Sequence, residues 1–168
     1  MHIVPIARVA EADVEALLDR AFGPDRRGRT VYRLRAGVAQ IAALSFAAVD
    51  DAGALLATIQ CWPVAFRADD GGTVPMILVG PVAVDPAIQR GGIGRQLTQH
   101  MLRAAADSCL PGARALILIG DPEYYGRFFG FDATRTAGWR LPGPFEQRRL
   151  LALGTEVPDG IGTVGPRI

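Results

Sequence analysis

The sequence predicts a single α/β domain in which apolar strands and amphipathic helices share one core. The chain has 168 residues, of which 49% are apolar and 21% charged, as in one globular domain. Short apolar runs of strand length alternate with segments whose apolar residues recur at helical spacing. The sequence contains no internal repeat, low-complexity tract or linker. We therefore expect residues 1–168 to form one domain.

The first third of the chain predicts a strand, two helices and a β-hairpin. Val14, Leu17 and Leu18 recur at helical spacing, and Thr30 is expected to cap the second helix. A polar turn that ends in Gly53 joins the two hairpin strands. In chain order we expect a strand at 2–7, helices at 11–22 and 30–36, and strands at 41–49 and 55–64.

The remaining chain predicts a central strand, a helix and then shorter elements. Residues 74–84 form the longest apolar strand candidate, which places that strand centrally, and Asp85-Pro86 ends it. The later elements are expected to be a helix at 94–109, a strand at 115–120, one or two helical turns from Pro122 and a strand at 149–153. The last fifteen residues look loop-like.

Charge and cysteine usage exclude several classes of function. The net charge of +1 provides no basic field that would favour nucleic acid or an anionic membrane. Cys61 and Cys109 are far apart and predict neither a disulfide framework nor a metal site. The amino terminus lacks the basic and apolar regions of a signal peptide, and no apolar run is long enough to span a bilayer. These features predict a cytoplasmic, metal-free protein, either a monomer or a homodimer.

The glycine-rich segment after the central strand predicts a site for a diphosphate. Gly91, Gly92 and Gly94 allow phosphate oxygens to approach the backbone, and the first amides of the following helix point outward unpaired. Arg90 and Arg95 can add charge-assisted bonds. A Walker loop is excluded because all 18 basic residues are arginine, and the glycine spacing does not fit a dinucleotide fingerprint. A tight connection without a ligand is the alternative.

The surrounding sequence resembles the GNAT superfamily of N-acetyltransferases. Gln89, Gly92 and Gly94 match its acetyl-CoA motif Q/R-x-x-G-x-G/A, which follows the fourth strand. Residues 120–131, Gly-Asp-Pro-Glu-Tyr-Tyr-Gly-Arg-Phe-Phe-Gly-Phe, are similar to a second block in which a tyrosine on a short helix precedes Gly-Phe. Together with residues 20–22, 32–35 and 141–144, this block looks like the YhbS-type branch of predicted acetyltransferases.

The resemblance implies the family fold and its cofactor, acetyl-CoA. That fold has a mixed, mostly antiparallel sheet of about six to seven strands, flanked by helices, whose fourth and fifth strands splay apart around the pantetheine. Pro81 independently predicts a bulge or broken ladder, because it has no N–H to donate within a central strand. By resemblance, the residues that bind the cofactor are Val82, Ala83, Val84, Gln89, Arg90, Gly91, Gly92, Ile93, Gly94 and Arg95.

The resemblance also implies the catalytic groups. An amine acceptor attacks the thioester directly, the Val82 amide stabilises the oxyanion, and a tyrosine protonates the CoA thiolate. Tyr125 is the first candidate for this acid and Tyr124 the second, because Phe128-Phe129 contains one residue more than the family pattern. Asp121 is the best-placed acidic residue, although a role as helix N-cap also explains it.

Other assignments of function stay open at this stage. A module that binds acyl-CoA without turnover is the main alternative, and transfer to a hydroxyl or of a longer acyl group is another. Cys61 can in principle carry an acyl group, although a buried apolar role is expected of it. Trp62, Trp139 and Phe145 are candidates to shape an acceptor pocket or to pack in the core.

Overall fold

The computed structural model of the protein describes residues 1–88 and 91–168, which form four α-helices and eight β-strands. The helices are α1 (Glu11–Phe22), α2 (Thr30–Leu34), α3 (Ile93–Ala106) and α4 (Pro122–Phe129). The strands are β1 (His2–Pro5), β2 (Phe46–Val49), β3 (Leu55–Ala68), β4 (Thr73–Val84), β5 (Leu116–Ile119), β6 (Trp139–Arg140), β7 (Leu150–Leu153) and β8 (Gly162–Pro166). None of the described helices is both long and apolar enough to cross a bilayer.

All eight strands belong to one mixed sheet with the order β1-β2-β3-β4-β5-β7. The long strand β3 is central, with β4 along one side, and β2 and then β8 along the other. Most pairs are antiparallel, whereas β4–β5 and β6–β8 are parallel. The predicted α/β class with a mostly antiparallel sheet is therefore confirmed.

Helices cover both faces of the sheet. The apolar side of α3 packs on one face through Leu97, Met101 and Ala105, as its helical spacing predicts. On the opposite face, α1 buries Leu17 and Leu18 against β4, and α2 contributes Leu34. Alternate side chains of the central strands thus point into one apolar cluster on the α3 face and two on the opposite face.

Strands β4 and β5 separate after a short parallel contact. They are paired only at Ile77 and Leu78 of β4, and the next residues of β4 have no described partner on β5. In the same stretch β4 bulges away from the β3 ladder, with two residues, Gly80 and Pro81, facing one on β3. Gly80 has a φ of 128°, which favours glycine. The irregularity expected at Pro81 is confirmed, and it lies where the two strands diverge.

The carboxyl-terminal tail departs from the sequence prediction. Its last fifteen residues are not all loop, because β8 pairs with the second half of β3. Gly162 permits this contact, since a Cβ there would lie 2.4 Å from the Arg67 carbonyl oxygen. The short β6 then pairs with β8, which brings the sheet to eight strands rather than six or seven.

The start of α2 also differs from the prediction. Thr30 is the first residue of the helix and not its cap, which is Arg29. The Thr30 hydroxyl instead donates to the Pro144 carbonyl oxygen at 2.5 Å. This long-range bond ties α2 to the loop before β7, and a sequence pattern cannot reveal it.

Candidate active site

A glycine turn precedes the amino terminus of α3. Gly91 and Gly92 have φ values of 104° and 65°, in the left-handed region that other residues rarely adopt. A Cβ on either residue would meet no atom within 4 Å, so both glycines border open space. Gln89 and Arg90, which the sequence assigns to the same loop, lie outside the described residues.

The first turn of α3 presents free amides beside β4. The Gln96 amide is bonded to the Gly92 carbonyl oxygen at 2.9 Å, which leaves the amides of Ile93, Gly94 and Arg95 without helical partners. At Gly94 a Cβ would lie 3.2 Å from Val84 Cγ2. The absence of a side chain at Gly94 therefore lets the positive end of α3 approach β4 closely.

The edge of β4 that faces the gap carries two unpaired peptide groups. The Asp85 amide donates to the Leu56 carbonyl oxygen at 2.9 Å, flanking the pair formed by Ala57 and Val84. Ala57 and Val84 therefore form a non-hydrogen-bonded pair. Because hydrogen-bonded and non-hydrogen-bonded pairs alternate along an antiparallel ladder, Ile59 and Val82 also form a non-hydrogen-bonded pair. The amides and carbonyls of Val82 and Val84 point away from β3, into the gap.

The side chains of two other predicted cofactor residues, Ala83 and Arg95, contact neighbouring helices. Ala83 forms a hydrogen-bonded pair with Thr58 on β3, and its methyl group is buried against α1. Its backbone and side chain thus point away from the gap. The exposed Arg95 stacks its guanidinium over the Phe128 ring at 4.2 Å, which links α3 to α4.

The gap opens into a cleft of about 810 Å³, here named the interstrand cleft. Its walls come from the segment between α1 and α2, the diverging ends of β4 and β5, the start of α4 and the loop before β7. The lining residues are Phe22, Arg26, Gly28, Arg29, Thr30, Val31, Tyr32, Val79, Gly80, Pro81, Val82, Leu118, Ile119, Gly120, Asp121, Tyr125, Pro144, Phe145, Glu146 and Arg149.

The two adjacent tyrosines of α4 have different surroundings. Tyr125 lines the interstrand cleft together with Val82, whereas Tyr124 is absent from its described lining. Gly120 makes room for the Tyr125 ring, since a Cβ there would lie 2.6 Å from Cε2. Tyr124 packs edge-on against the rings of Phe128 and Tyr125. Of the two phenols, Tyr125 is thus the one that faces the cleft.

The extra phenylalanine does not rotate Tyr125 out of place. The Tyr125 amide is bonded to the Asp121 carbonyl oxygen at 2.9 Å, so its position is set from the start of α4. At the other end the Phe131 amide donates to the Tyr125 carbonyl oxygen, six residues earlier. A glycine-ended helix usually closes this bond over five residues. The Gly130 amide nevertheless closes the last turn over four residues, on the Gly126 carbonyl oxygen at 3.1 Å, so the added residue lengthens α4 beyond Tyr125.

Burial keeps the Tyr125 phenol protonated. Desolvation by the surrounding core, with a smaller contribution from Tyr124, raises the pKa of Tyr125 to about 12. The hydroxyl has no hydrogen-bond partner among the described residues. At neutral pH this group is consequently an available proton donor that faces the cleft.

Asp121 caps α4 and also borders the interstrand cleft. It is the N-cap of α4, where its Oδ1 accepts the Glu123 amide at 3.0 Å. Its residue also lines the interstrand cleft. The second carboxylate oxygen, Oδ2, has no partner among the described bonds of this group. The N-cap prediction is confirmed.

Of the aromatic candidates and Cys61, only Phe145 is among the described residues that line the cleft. Phe145 lines the cleft, while Trp139 is buried and packs against Phe66 at 5.2 Å between ring centroids. Trp62 packs under the Arg35 guanidinium, away from the described cleft lining. Cys61 is fully buried, and this burial raises the pKa of its thiol. Cys61 is therefore a core residue and not an acyl carrier.

Several cleft residues escape sequence reasoning. Phe22, Tyr32 and Arg149 belong to three separate segments that only the fold brings together. Phe22 and Tyr32 fall in segments that resemble the YhbS-type branch, which was the one available signal. The sequence predicts only the start of a strand at Arg149, and the residues next to it in the sequence do not indicate a cleft.

Comparison with known proteins agrees with this architecture. A family model described as an acetyltransferase (GNAT) domain matches residues 3–133. The GNAT family N-acetyltransferase YhbS from Escherichia coli, solved in complex with CoA, is 25% identical with a TM-score of 0.71, over 99% of this chain and 89% of its own. A GNAT family acetyltransferase from Brucella melitensis, solved with acetyl-CoA, is 27% identical with a TM-score of 0.62, over 96% and 93%. No curated protein matches the chain.

The diverging parallel pair β4–β5, with a glycine turn and a helix amino terminus beside it, defines an acetyltransferase fold. The family model covers well over half of the chain. The protein therefore belongs to the GNAT family of acetyltransferases, and the resemblance seen in its sequence is confirmed.

Proposed function

We propose that residues 1–168 form one acetyl-CoA-binding domain that transfers the acetyl group to an amine acceptor in the interstrand cleft. The observation that carries this proposal is that Tyr125 and the free peptide edge of β4 at Val82 line the same cleft. An electrophilic carbonyl at that edge would have an oxyanion donor and a proton donor beside it.

Acetyl-CoA would approach from the side of α3. The unpaired amides at the start of α3 and the positive end of the helix favour the diphosphate, for which the candidate residues are Gln89, Arg90, Gly91, Gly92, Ile93, Gly94 and Arg95. The free peptide groups of Val82 and Val84 would extend a ladder to the pantetheine. Two solved neighbours contain CoA or acetyl-CoA, which supports the choice of cofactor.

The transfer requires one bond to form and one to break. The acceptor nitrogen attacks the thioester carbon, the carbonyl oxygen becomes an oxyanion, and the C–S bond then breaks to release the thiolate. The Val82 amide would stabilise the oxyanion, a contribution of about 3 kcal/mol for one such donor. Because this donor is a main-chain group, side-chain substitution at Val82 is not a test of it.

Tyr125 would act on the departing sulfur. Its pKa of about 12 exceeds that of an ordinary thiol, about 8.5, so complete transfer to a free thiolate would cost roughly 5 kcal/mol. The phenol is therefore best suited to donate a hydrogen bond, with partial proton transfer, while the sulfur becomes charged. The thiolate gains one proton overall, and the attacking nitrogen loses one, so protons balance over the whole reaction.

Asp121 is our candidate to receive that proton. Its Oδ1 holds the cap of α4, so Oδ2 is the oxygen that can accept from an acceptor ammonium. This role would align the amine as well as deprotonate it. An acceptor that arrives as the neutral amine would need only the alignment.

Paired tyrosine variants test the proposal. In a CoA-release assay with a panel of amines, amino acids and peptides, Tyr125→Phe is expected to lower kcat about 100-fold, because it removes the donor to sulfur. Tyr124→Phe is the matched control and should stay within about threefold, since the described cleft lining does not include this residue.

Three results of these assays would each overturn a different part of the proposal. Unchanged turnover in both variants would refute Tyr125 as the acid. Binding of acetyl-CoA without CoA release on any amine or hydroxyl acceptor would identify a non-catalytic acyl-CoA-binding module. Faster release from propionyl-CoA than from acetyl-CoA would revise the acyl group instead.

A further inference from the structure

The floor of the interstrand cleft contains an arginine that the proposed reaction does not use. Arg149 precedes β7, and its carbonyl oxygen accepts the Gly120 amide at 2.9 Å. Gly120 is also the residue on which the Tyr125 ring packs. Arg149 therefore lies directly beside the proposed reacting centre, and it lines the cleft.

The other two arginines of the cleft already have partners. Arg26 is fully buried and donates to Glu15, to Asp19 at 2.8 Å and to the Tyr32 hydroxyl at 2.6 Å. Arg29 donates to the Phe22 carbonyl oxygen at 3.0 Å. Arg26 thus has all three of its nitrogens bonded, whereas the exposed Arg29 uses only one of its three.

Arg149 differs because its Nε is buried and has no acceptor among the described residues. A buried donor on a charged group that lacks an acceptor is costly, and few native structures leave one in that state. The two terminal nitrogens of Arg149 also have no acceptor among the described residues, and they are not closed off from solvent as Nε is. A guanidinium binds a carboxylate or phosphate through such paired donors, so an oxyanion in the cleft is the partner that we expect for them.

The carboxylates of the cleft suggest where the rest of such a ligand would lie. Asp121 and Glu146 line the same cleft, and neither forms an ion pair with Arg149 in the described structure. A ligand that carries an amine and an oxyanion would satisfy Asp121 with one end and Arg149 with the other. A plain amine would leave the guanidinium of Arg149 without an oxyanion.

We propose that the acceptor is a small zwitterion, an amine that carries a carboxylate or phosphate a few bonds away, and that Arg149 binds this oxyanion. The inference rests on the proposed function and names its substrate class. Arg149 acts as the specificity residue, because it selects among amines without touching the bond that is broken.

Matched acceptor pairs provide the test. Each amino acid is compared with its carboxamide, and phosphoethanolamine with ethanolamine, in the CoA-release assay. Wild type is expected to prefer the anionic member of a pair in kcat/KM by about 10- to 100-fold, and Arg149→Gln to lose most of this preference through KM. Arg149→Lys should retain part of it, since the charge remains but the fork is lost.

Arg148→Gln is the matched control. Its guanidinium is 60% exposed, pairs with Glu123 on the surface and lies outside the described cleft lining. This variant should keep the wild-type preference. Thermal unfolding of all variants shows whether each is folded before its kinetics are compared.

A second measurement does not depend on turnover. N-acetylated amino acids and their amides are titrated by calorimetry into the protein saturated with CoA. Wild type should bind the carboxylate form at least about tenfold more tightly, and Arg149→Gln should bind both forms alike. If the amino-acid probes fail but phosphoethanolamine is preferred, the oxyanion is a phosphate.

Failure of the inference is separable from failure of the proposed function. CoA release with neutral and anionic amines at equal efficiency would overturn the role of Arg149 and leave the acetyltransferase activity intact. An equal fall in kcat for both members of a pair would also overturn it, because the guanidinium would then act on Tyr125. If no acceptor supports CoA release, the calorimetric preference decides the inference alone.

Discussion

A negative side chain at Gly92 is expected to have opposite effects on protein stability and on CoA affinity. Gly92 caps α3, and a Cβ there would meet no atom within 4 Å, so the first side-chain atom of Gly92→Glu and of Gly92→Gln has room. Its φ of 65° strains any side-chain-bearing residue by about 1 kcal/mol. The two variants share this strain, and they differ only in one charge.

The charge should stabilise the folded protein without ligand. A carboxylate at the start of a helix interacts with the unpaired amides and the positive end of the dipole, typically by about 0.3–1 kcal/mol. Gly92→Glu is therefore expected to unfold at the same temperature as Gly92→Gln or slightly above it. A loss of CoA affinity in the Glu variant cannot then be attributed to unfolding.

The same charge should weaken binding of the diphosphate. At about 5 Å in solvent, two like unit charges repel by roughly 0.8 kcal/mol, and the diphosphate carries about two charges, for a total near 1.7 kcal/mol. This corresponds to a Kd about 10- to 20-fold higher for Gly92→Glu than for Gly92→Gln. The glycine turn is exposed, so high salt should reduce the difference.

Calorimetric titration of CoA into both variants at low and high salt measures this difference. Affinities of both variants equal to that of wild type at low salt would refute the placement of the diphosphate at the start of α3. A weaker affinity of both variants, with no dependence on charge, would show that Gly92 acts through backbone geometry alone.

Two further predictions concern stability and pH. Arg26→Gln should lower the free energy of unfolding by about 3 kcal/mol, because Glu15 and Asp19 lose a fully buried partner. Arg27 is also bonded to Glu15 but is 61% exposed, so Arg27→Gln should cost less than about 1 kcal/mol. Urea denaturation distinguishes the two variants, and equal free energies of unfolding would contradict the reasoning. Since burial raises the pKa of Tyr125 to about 12, its phenol contributes stability that is complete below pH 10, the value of an unfolded tyrosine, and is lost as pH rises towards 12. The kcat–pH profile should accordingly show no loss from phenol ionisation below about pH 11, and a fall near pH 10 that Tyr125→Phe abolishes would contradict this.

The parts of the fold that local pattern determines could be predicted from the sequence. The helical spacing of Leu97 and Met101 placed α3, and the missing amide of Pro81 predicted the bulge beside the gap. Gly162–Pro166 could not be predicted as a strand, because it lacks an apolar alternation and becomes β8 only by pairing with β3.

The candidate site likewise has one part that could be predicted from the sequence and one part that could not. Its proposed cofactor side follows from a contiguous motif, so Gly92 and Gly94 could be named as candidates from the sequence. Its acceptor side is assembled from segments more than 100 residues apart, such as those joined by the bond from Thr30 to Pro144. Arg149 enters the cleft only through this long-range packing, which local residue patterns do not encode.

The structure of the protein in complex with CoA tests the central claim most directly. We predict that the pantetheine lies between β4 and β5, bonded to the main chain of Val82 and Val84, with the sulfur within hydrogen-bonding distance of the Tyr125 hydroxyl. A pantetheine outside that gap, or a sulfur that contacts Tyr124 and not Tyr125, would contradict the account.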